Sequence, residues 1–164
     1  MFTRTTQLIG HDGFRALQEA RVIIFGVGGV GGWCAESLLR TGIGHLTLVD
    51  FDVVDRTNLN RQVVATHDNI GQSKVIEMQK RLLSICPEAD VQTIELQYNA
   101  DTAVSFDLAQ YDIVVDAIDT MSCKLAIIQY CKEHNVPFIS SMGMANRLDP
   151  TKIEITDLSK TNYD

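Results

Sequence analysis

The sequence lacks any pair of cysteines at C-x-x-C spacing, although it contains 4 cysteines. Such pairs hold structural zinc or form redox dithiols, so neither kind of site is expected. The cysteines fall in apolar or helical segments. We interpret them as free thiols of a reducing compartment, none of them a catalytic nucleophile: Cys34, Cys86, Cys123 and Cys131.

Two further absences narrow the class of protein. No apolar run approaches the roughly 20 residues that span a membrane, and the N-terminus has no apolar signal region. The 14 Lys and Arg residues are outnumbered by 21 Asp and Glu residues, and the net charge of −7 argues against a generic nucleic-acid binder. We therefore expect a cytoplasmic protein with no membrane segment, and 164 residues are enough for a single domain.

Short apolar runs alternate with stretches of helical spacing, a pattern typical of βαβ units and a largely parallel sheet. Strands are predicted at residues 21–25, 46–49, 91–96, 112–116, 136–140 and 153–156. Helices are predicted at residues 29–40, 72–85, 101–109 and 121–133. The predicted fold class is α/β, a Rossmann-like and mostly parallel sheet with helices on both faces.

A glycine-rich segment follows the first predicted strand and fits G-x-G-x-x-G, with glycines at Gly26, Gly28, Gly29 and Gly31. Glycines let the backbone approach phosphate, and the following helix offers free N–H groups at its N-terminus. Asp50 ends the second strand about 20 residues further on, where an acidic side chain reaches ribose hydroxyls in such folds. The pattern predicts a nucleotide site. Taken alone, it leaves open a dinucleotide dehydrogenase or a strand–helix turn without a ligand.

The polar segment 51–71 is long for a connection, and long ordered loops are usually functional. It carries Arg61, and Lys74 opens the next helix. A nicotinamide dehydrogenase has no need for two cations at these places, whereas a triphosphate and its departing pyrophosphate do. Each cation taken singly is also consistent with a solvated surface charge.

Three uncharged or acidic side chains complete the predicted site. Asn58 and Gln62 can supply neutral hydrogen bonds. Asp119 lies beyond a predicted strand, at the edge of the sheet where ligands bind, and its carboxylate can hold Mg²⁺ beside phosphates. The alternative for Asp119 is a cap of the helix that starts near Thr120. Trp33 is expected to pack the glycine-loop helix, with a place near adenine as the alternative.

Five ordered segments together resemble the superfamily of ubiquitin-activating enzymes, which includes the adenylyltransferases of sulfur-carrier proteins: residues 26–31, 50–52, 58–62, 71–74 and 116–119. The resemblance covers nearly the whole chain and implies an ATP-dependent, adenylate-forming enzyme. It implies that Arg61, Lys74 and Asp119 are catalytic, with Mg²⁺ at Asp119. Together with the motif glycines, the implied ATP contacts are Asp50, Asp52, Thr57, Asn58, Asn60, Gln62, Thr120 and Arg4. Arg4 would reach the nucleotide of a partner subunit, which implies a homodimer.

Within this superfamily the chain resembles the tRNA threonylcarbamoyladenosine dehydratases through residues 26–33, 40–44, 58–62, 115–119, 149–153 and 156–161. The missing C-x-x-C pairs separate it from the sulfur-carrier adenylyltransferases. The resemblance implies tRNA as the substrate and ring closure of threonylcarbamoyladenosine by net dehydration. The alternative is activation of the C-terminus of a ubiquitin-like sulfur-carrier protein. Residues 1–164 are expected to be one ATP-binding adenylation domain that is truncated at its C-terminal end.

Overall fold

Five parallel strands form the centre of the structure, a computed structural model that describes residues 1–143, 145 and 148–161. The strands are β1 (Arg21–Phe25), β2 (His45–Val49), β3 (Asp90–Ile94), β4 (Ile113–Asp116) and β5 (Phe138–Ser140). Their order in the sheet is β3-β2-β1-β4-β5, and every neighbouring pair is parallel. The helices are α1 (Thr3–Glu19), α2 (Gly31–Thr41), α3 (Lys74–Ile85) and α4 (Met121–Glu133). The predicted α/β fold is confirmed.

Alternate residues of the central strand β1 point into two separate cores, since successive side chains of a strand face opposite ways. Val22 and Ile24 belong to the core formed with α2 and α3. Ile23 and Phe25 belong to the core formed with α4 and the segment before β4. All four side chains are at most 2% exposed, which explains why β1 is apolar without alternation.

Helix α2 ends at Gly42, which adopts a left-handed φ of 117°. Its N–H donates to the carbonyl oxygens of Leu38 and Leu39, so the last turn is closed. A Cβ atom added to Gly42 would lie 2.6 Å from the ring of Phe14, so α1 packs directly on this turn. Gly44 then donates to Leu17 of α1 and leads into β2. Helix α1 is thereby fixed at the amino-terminal edge of the sheet.

Three elements differ from the sequence prediction. Helix α1 was not predicted; it has no fully buried residue and is interrupted at Gly10. Residues 101–109 do not form one helix but contribute to two 3₁₀ turns, Ala103–Ser105 and Leu108–Gln110. The strand predicted at 153–156 is wrong, because these residues pair with no strand of the described chain and their isoleucines are exposed.

Within the described residues, no helix is both long and apolar enough to cross a membrane.

Candidate functional site

The glycine loop lies at the carboxyl ends of three strands: it follows β1 and contacts the ends of β2 and β4. Gly26 has φ 87°, and its N–H donates to the carbonyl oxygen of Val49 at the end of β2 (2.8 Å). A Cβ atom on Gly26 would lie 2.7 Å from the carbonyl oxygen of Ala117, just beyond β4. A Cβ atom on Gly31 would overlap the carbonyl oxygen of Gly26. Both positions therefore require glycine, and the loop is pressed against the chain that leaves β4.

Asp50 anchors the glycine loop through its carboxylate. Its Oδ2 accepts the N–H of Val27 (2.7 Å), and its Oδ1 accepts the N–H of Asp52 (2.9 Å). Each carboxylate oxygen can accept a further hydrogen bond, so Asp50 keeps capacity for a ribose hydroxyl. The structure thus gives Asp50 a second task that the sequence did not predict, namely the shaping of the loop itself.

The side chain of Arg61 lies against the glycine loop. A Cβ atom on Gly29 would lie 3.4 Å from Cγ and 3.6 Å from Cδ of Arg61. The Nη1 group of Arg61 donates to the carbonyl oxygen of Thr57 (2.9 Å) and to Oδ1 of Asn60 (3.0 Å). Two of the predicted site features, the glycine loop and Arg61, are therefore brought together.

Trp33, which lies in α2, binds the backbone of Arg61. Its Nε1 donates to the carbonyl oxygen of Arg61 (3.2 Å), and 52% of the residue remains exposed. The expectation that Trp33 packs the glycine-loop helix is wrong, because the indole lies against the 51–71 segment and solvent instead of in a core. This contact joins residues 28 positions apart, and no local motif predicts it.

Asp55 shapes the turn that carries Thr57 and Asn58. Its Oδ1 accepts the N–H (2.8 Å) and the hydroxyl (2.6 Å) of Thr57. Asn58 is buried, and its Oδ1 accepts the N–H of Asp55 (3.0 Å). The hydrogen bonds from Thr57 lower the pKa of the Asp55 carboxyl. Sequence reasoning missed Asp55, although Asp and Asn three residues apart are typical of a capping box.

Lys74 stands at the first position of α3 and pairs with Asp52. Its Nζ lies 2.7 Å from Oδ2 of Asp52, and its side chain is 7% exposed against 50% for the aspartate. The backbone reinforces the pair, since the N–H of Lys74 donates to the carbonyl oxygen of Asp52 (3.0 Å) and Val53 bridges to Ser73. The ammonium group of Lys74, with the half-exposed Asp52 as its partner, places a positive charge just beyond the 51–71 segment.

Two buried oxygens in the described residues have no hydrogen-bond partner: Oε1 of Gln62 and Oγ of Ser73. Leaving such an atom unpaired costs about 1–3 kcal/mol, so a polar ligand is the natural partner. Nε2 of Gln62 lies 3.8 Å from the position of a Cβ atom on Gly28. The unpaired amide therefore lies beside the glycine loop, and this arrangement fits a bound nucleotide.

Asp119 and Thr120 follow β4 and are exposed. Thr120 is the N-cap of α4 and makes no side-chain cap hydrogen bond; its hydroxyl donates to Oδ1 of Asp119 at 3.4 Å. Asp119 therefore does not cap α4, and within the described chain its carboxylate forms no ion pair. A single free carboxylate fits Mg²⁺ that is held mainly by phosphates and water. No cluster of three metal-ligating side chains occurs in the described part.

A buried ion pair at the end of β4 was missed by the sequence analysis. Asp116 is fully buried, and its Oδ2 lies 2.8 Å from Nζ of Lys124 on α4, which is 2% exposed. A lysine within the apolar positions of a helix was the available signal. The remaining predicted residue, Arg4, is exposed on α1, and its side chain forms no hydrogen bond or ion pair with the other site residues.

The cysteines take no part in this site. Burial raises the pKa values of Cys34, Cys86 and Cys131, the last to about 11, so these thiols stay protonated at neutral pH. All 4 cysteines are free thiols.

Strand order and site geometry together define a class of protein. The order of strands reverses between β1 and β4, and ligands of open α/β sheets bind outside the carboxyl ends of the strands at such a point. Here the glycine loop leaves β1 and Asp119 follows β4. The fold and site are those of a Rossmann-like nucleotide-binding protein.

Comparison with known proteins gives the family. The ThiF family model matches residues 2–161, so the chain belongs to the ThiF family. It is 42% identical to the tRNA threonylcarbamoyladenosine dehydratase of Bacillus subtilis, over 99% of this chain and 64% of that protein. It is 33% identical to the molybdopterin-synthase adenylyltransferase of Escherichia coli, over 84% of this chain and 54% of that protein. The superfamily predicted from the motifs is confirmed.

The structural comparison agrees. The crystal structure of the Escherichia coli tRNA N6-threonylcarbamoyladenosine dehydratase in complex with ATP matches with a TM-score of 0.94 and 39% identity. The match covers 98% of this chain and 66% of that chain. The chain therefore spans less than two thirds of the length of these dehydratases.

Proposed function

We propose that this chain is the ATP-binding, adenylate-forming part of an enzyme that cyclises threonylcarbamoyladenosine in tRNA. The observation that carries the proposal is the contact of the Arg61 side chain with Gly29, which brings the stem of a permanently charged side chain against the glycine loop. A pyrophosphate of NAD is bound by the loop alone in such folds, whereas a triphosphate that is cleaved needs added positive charge. The dehydratase names of relatives at 39–42% identity favour the tRNA substrate.

The proposed reaction has two steps. The threonyl carboxylate attacks the α-phosphorus of ATP, a new C–O–P bond forms, and pyrophosphate leaves with the electrons of the broken P–O bond. A nitrogen or oxygen of the same modified side chain then attacks the activated carbonyl, loses its proton, and expels AMP. The net change in the nucleoside is the loss of one water. Adenylation is needed because a free carboxylate has no good leaving group.

The residues take the following proposed roles. Arg61 and Lys74 stabilise the charge that develops as pyrophosphate departs; Lys74 would exchange its bond to Asp52 for one to phosphate. Asp50 would bind the ribose, and Asp119 would hold Mg²⁺, which would supply further positive charge at the phosphates. The remaining proposed ATP contacts are Gly26, Gly28, Gly29, Gly31, Asp52, Thr57, Asn58, Asn60, Gln62 and Thr120.

The proposed assembly is a homodimer in the cytoplasm. Arg4 is exposed on α1 and has no side-chain partner among the described residues, so it is free to reach the nucleotide of a second subunit. The four free thiols fit a reducing compartment, in which tRNA is also found.

The test measures AMP release by the complete gene product with tRNA that carries threonylcarbamoyladenosine. We expect stoichiometric AMP and a mass loss of one water from the nucleoside. A carrier protein that ends in Gly-Gly serves as the competing substrate. AMP release or pyrophosphate exchange with the carrier alone, and none with tRNA, would assign the chain to the adenylyltransferases instead.

A further inference from the structure

Lys124 is held by two segments of the chain, the end of β4 and the end of β5. Its Nζ donates to Oδ2 of Asp116 at the end of β4 (2.8 Å), to the carbonyl oxygen of Ser141 after β5 (2.8 Å) and to Oγ of Ser140 in β5 (3.3 Å). An ammonium has three N–H groups, so all its donors are used. The hydroxyl of Ser140 in turn donates to Oδ2 of Asp116 (2.6 Å).

Stability alone does not account for this cluster. The side chains of Asp116 and Lys124 are 0% and 3% exposed, so both charges have lost their water. Desolvation of a buried ion costs several kcal/mol, and a well-packed apolar pair of similar volume stabilises a fold at least as well. Beyond stability, an attested use of a buried polar or ionic group is to specify one arrangement of the chain.

The pair of Asp116 and Lys124 fixes the direction of the chain that leaves β4 and enters the candidate site. Oδ1 of Asp116 accepts the N–H of Ile118 (3.2 Å), which bends the chain directly after β4. The N–H of Ala117 donates to the carbonyl oxygen of Phe25 (2.8 Å), and the carbonyl group of Ala117 leaves no room for a Cβ atom on Gly26. Asp119 is the next residue after this bend.

We propose that Lys124 is a positioning residue for the nucleotide site: by holding Asp116 it sets the bend at residues 117–118, and thereby the place of the Asp119 carboxylate. The inference rests on the proposed function, since it assigns Asp119 to Mg²⁺. Lys124 itself is enclosed by Asp116, Ser140 and Ser141, and all three of its N–H groups are used there.

The test compares ATP affinity with and without Mg²⁺, measured by isothermal titration calorimetry in MgCl₂ and in EDTA. The ratio of the two affinities reports the metal contribution, whereas a general loss of structure lowers both affinities together. We expect Lys124→Met to reduce the ratio by about tenfold, as is typical when an outer partner of a metal ligand is lost. Lys124→Arg is expected to restore most of the ratio, because it keeps the charge and the donors.

Two further variants keep the test decisive. Glu36→Gln removes the charge of a buried carboxylate that pairs with Arg40 and Arg81 on α2 and α3, away from Asp119, and should lower stability while the ratio stays as in wild type. If Lys124→Met does not fold, Asp116→Asn combined with Lys124→Met removes both charges, and a lowered ratio is still expected.

A folded variant lacking Lys124 that shows the wild-type ratio would overturn the positioning role and leave the proposed function intact. A wild-type protein that binds no ATP would overturn both.

Discussion

Replacement of Gly26 by alanine tests the geometry of the glycine loop directly. Two effects add at this position. The positive φ of 87° is unfavourable for a residue with a Cβ atom by about 1–2 kcal/mol. In addition, the new Cβ atom would lie 2.7 Å from the oxygen and 2.9 Å from the carbon of the Ala117 carbonyl. Both are backbone atoms, so the clash is relieved only if the glycine loop and the chain after β4 move apart. We expect this movement to cost about 1–3 kcal/mol. We expect a total destabilisation of about 2–5 kcal/mol.

The control is Gly71→Ala, because Gly71 has nearly the same φ, 86°, and nothing lies within 4 Å of its added Cβ atom. This variant reports the backbone strain alone, about 1–2 kcal/mol. The assay is urea unfolding of both variants, with the free energy of unfolding taken from midpoint and slope, and ATP affinity measured on the folded protein. We expect Gly26→Ala to lose more stability than Gly71→Ala and to bind ATP more weakly. Equal losses of stability in the two variants would refute the contact between the glycine loop and Ala117.

Three other predictions concern charges and the single tryptophan. Arg61→Ala and Lys74→Ala should retain the fold, and the rate of AMP formation should fall because about 3–4 kcal/mol of transition-state stabilisation is lost. Arg56→Ala, from the neighbouring turn, is the control. Normal turnover in the first two variants would contradict the roles of Arg61 and Lys74. Trp33 is the only tryptophan, so its fluorescence should change when ATP binds beside Arg61, and an unchanged spectrum at saturating ATP would place the nucleotide elsewhere. Burial raises the pKa of Glu36, but hydrogen bonds from two arginines outweigh it and lower the pKa below 4.5. Its stabilising contribution is thus present above pH 4.5 and lost as the pH falls through the lowered pKa; Glu36→Gln should flatten the acid side of a stability–pH profile.

The centre of the sheet could be predicted because the strands β1, β2 and β4 are buried on both faces. A run such as residues 21–25, apolar throughout and followed by glycine, has few other interpretations. Helix α1 could not be predicted in the same way, since it has no fully buried residue and Gly10 breaks its pattern. The apolar alternation at 153–156 was misleading because alternation predicts a strand only where a neighbouring strand is available.

Within the candidate site, local motifs were readable and contacts across the chain were not. The glycine loop, Asp50 and Asp119 follow strands, so their place at the carboxyl edge of the sheet follows from topology. The hydrogen bond from Trp33 to Arg61 and the pair between Lys124 and Asp116 depend on how separate elements pack. The catalytic and ATP-binding roles of the named residues stay predictions.

The carboxylate of Asp50 has a consequence for the kinetics of binding. It accepts one N–H from the glycine loop and one from the segment after β2, so the protein's own hydrogen bonds join the two sides of the cleft. A loop that is preorganised loses little conformational entropy when its ligand binds. The association rate of ATP should therefore be governed by diffusion and charge, with no slow ordering phase of the glycine loop, and affinity differences among loop variants should lie mainly in the rate of release.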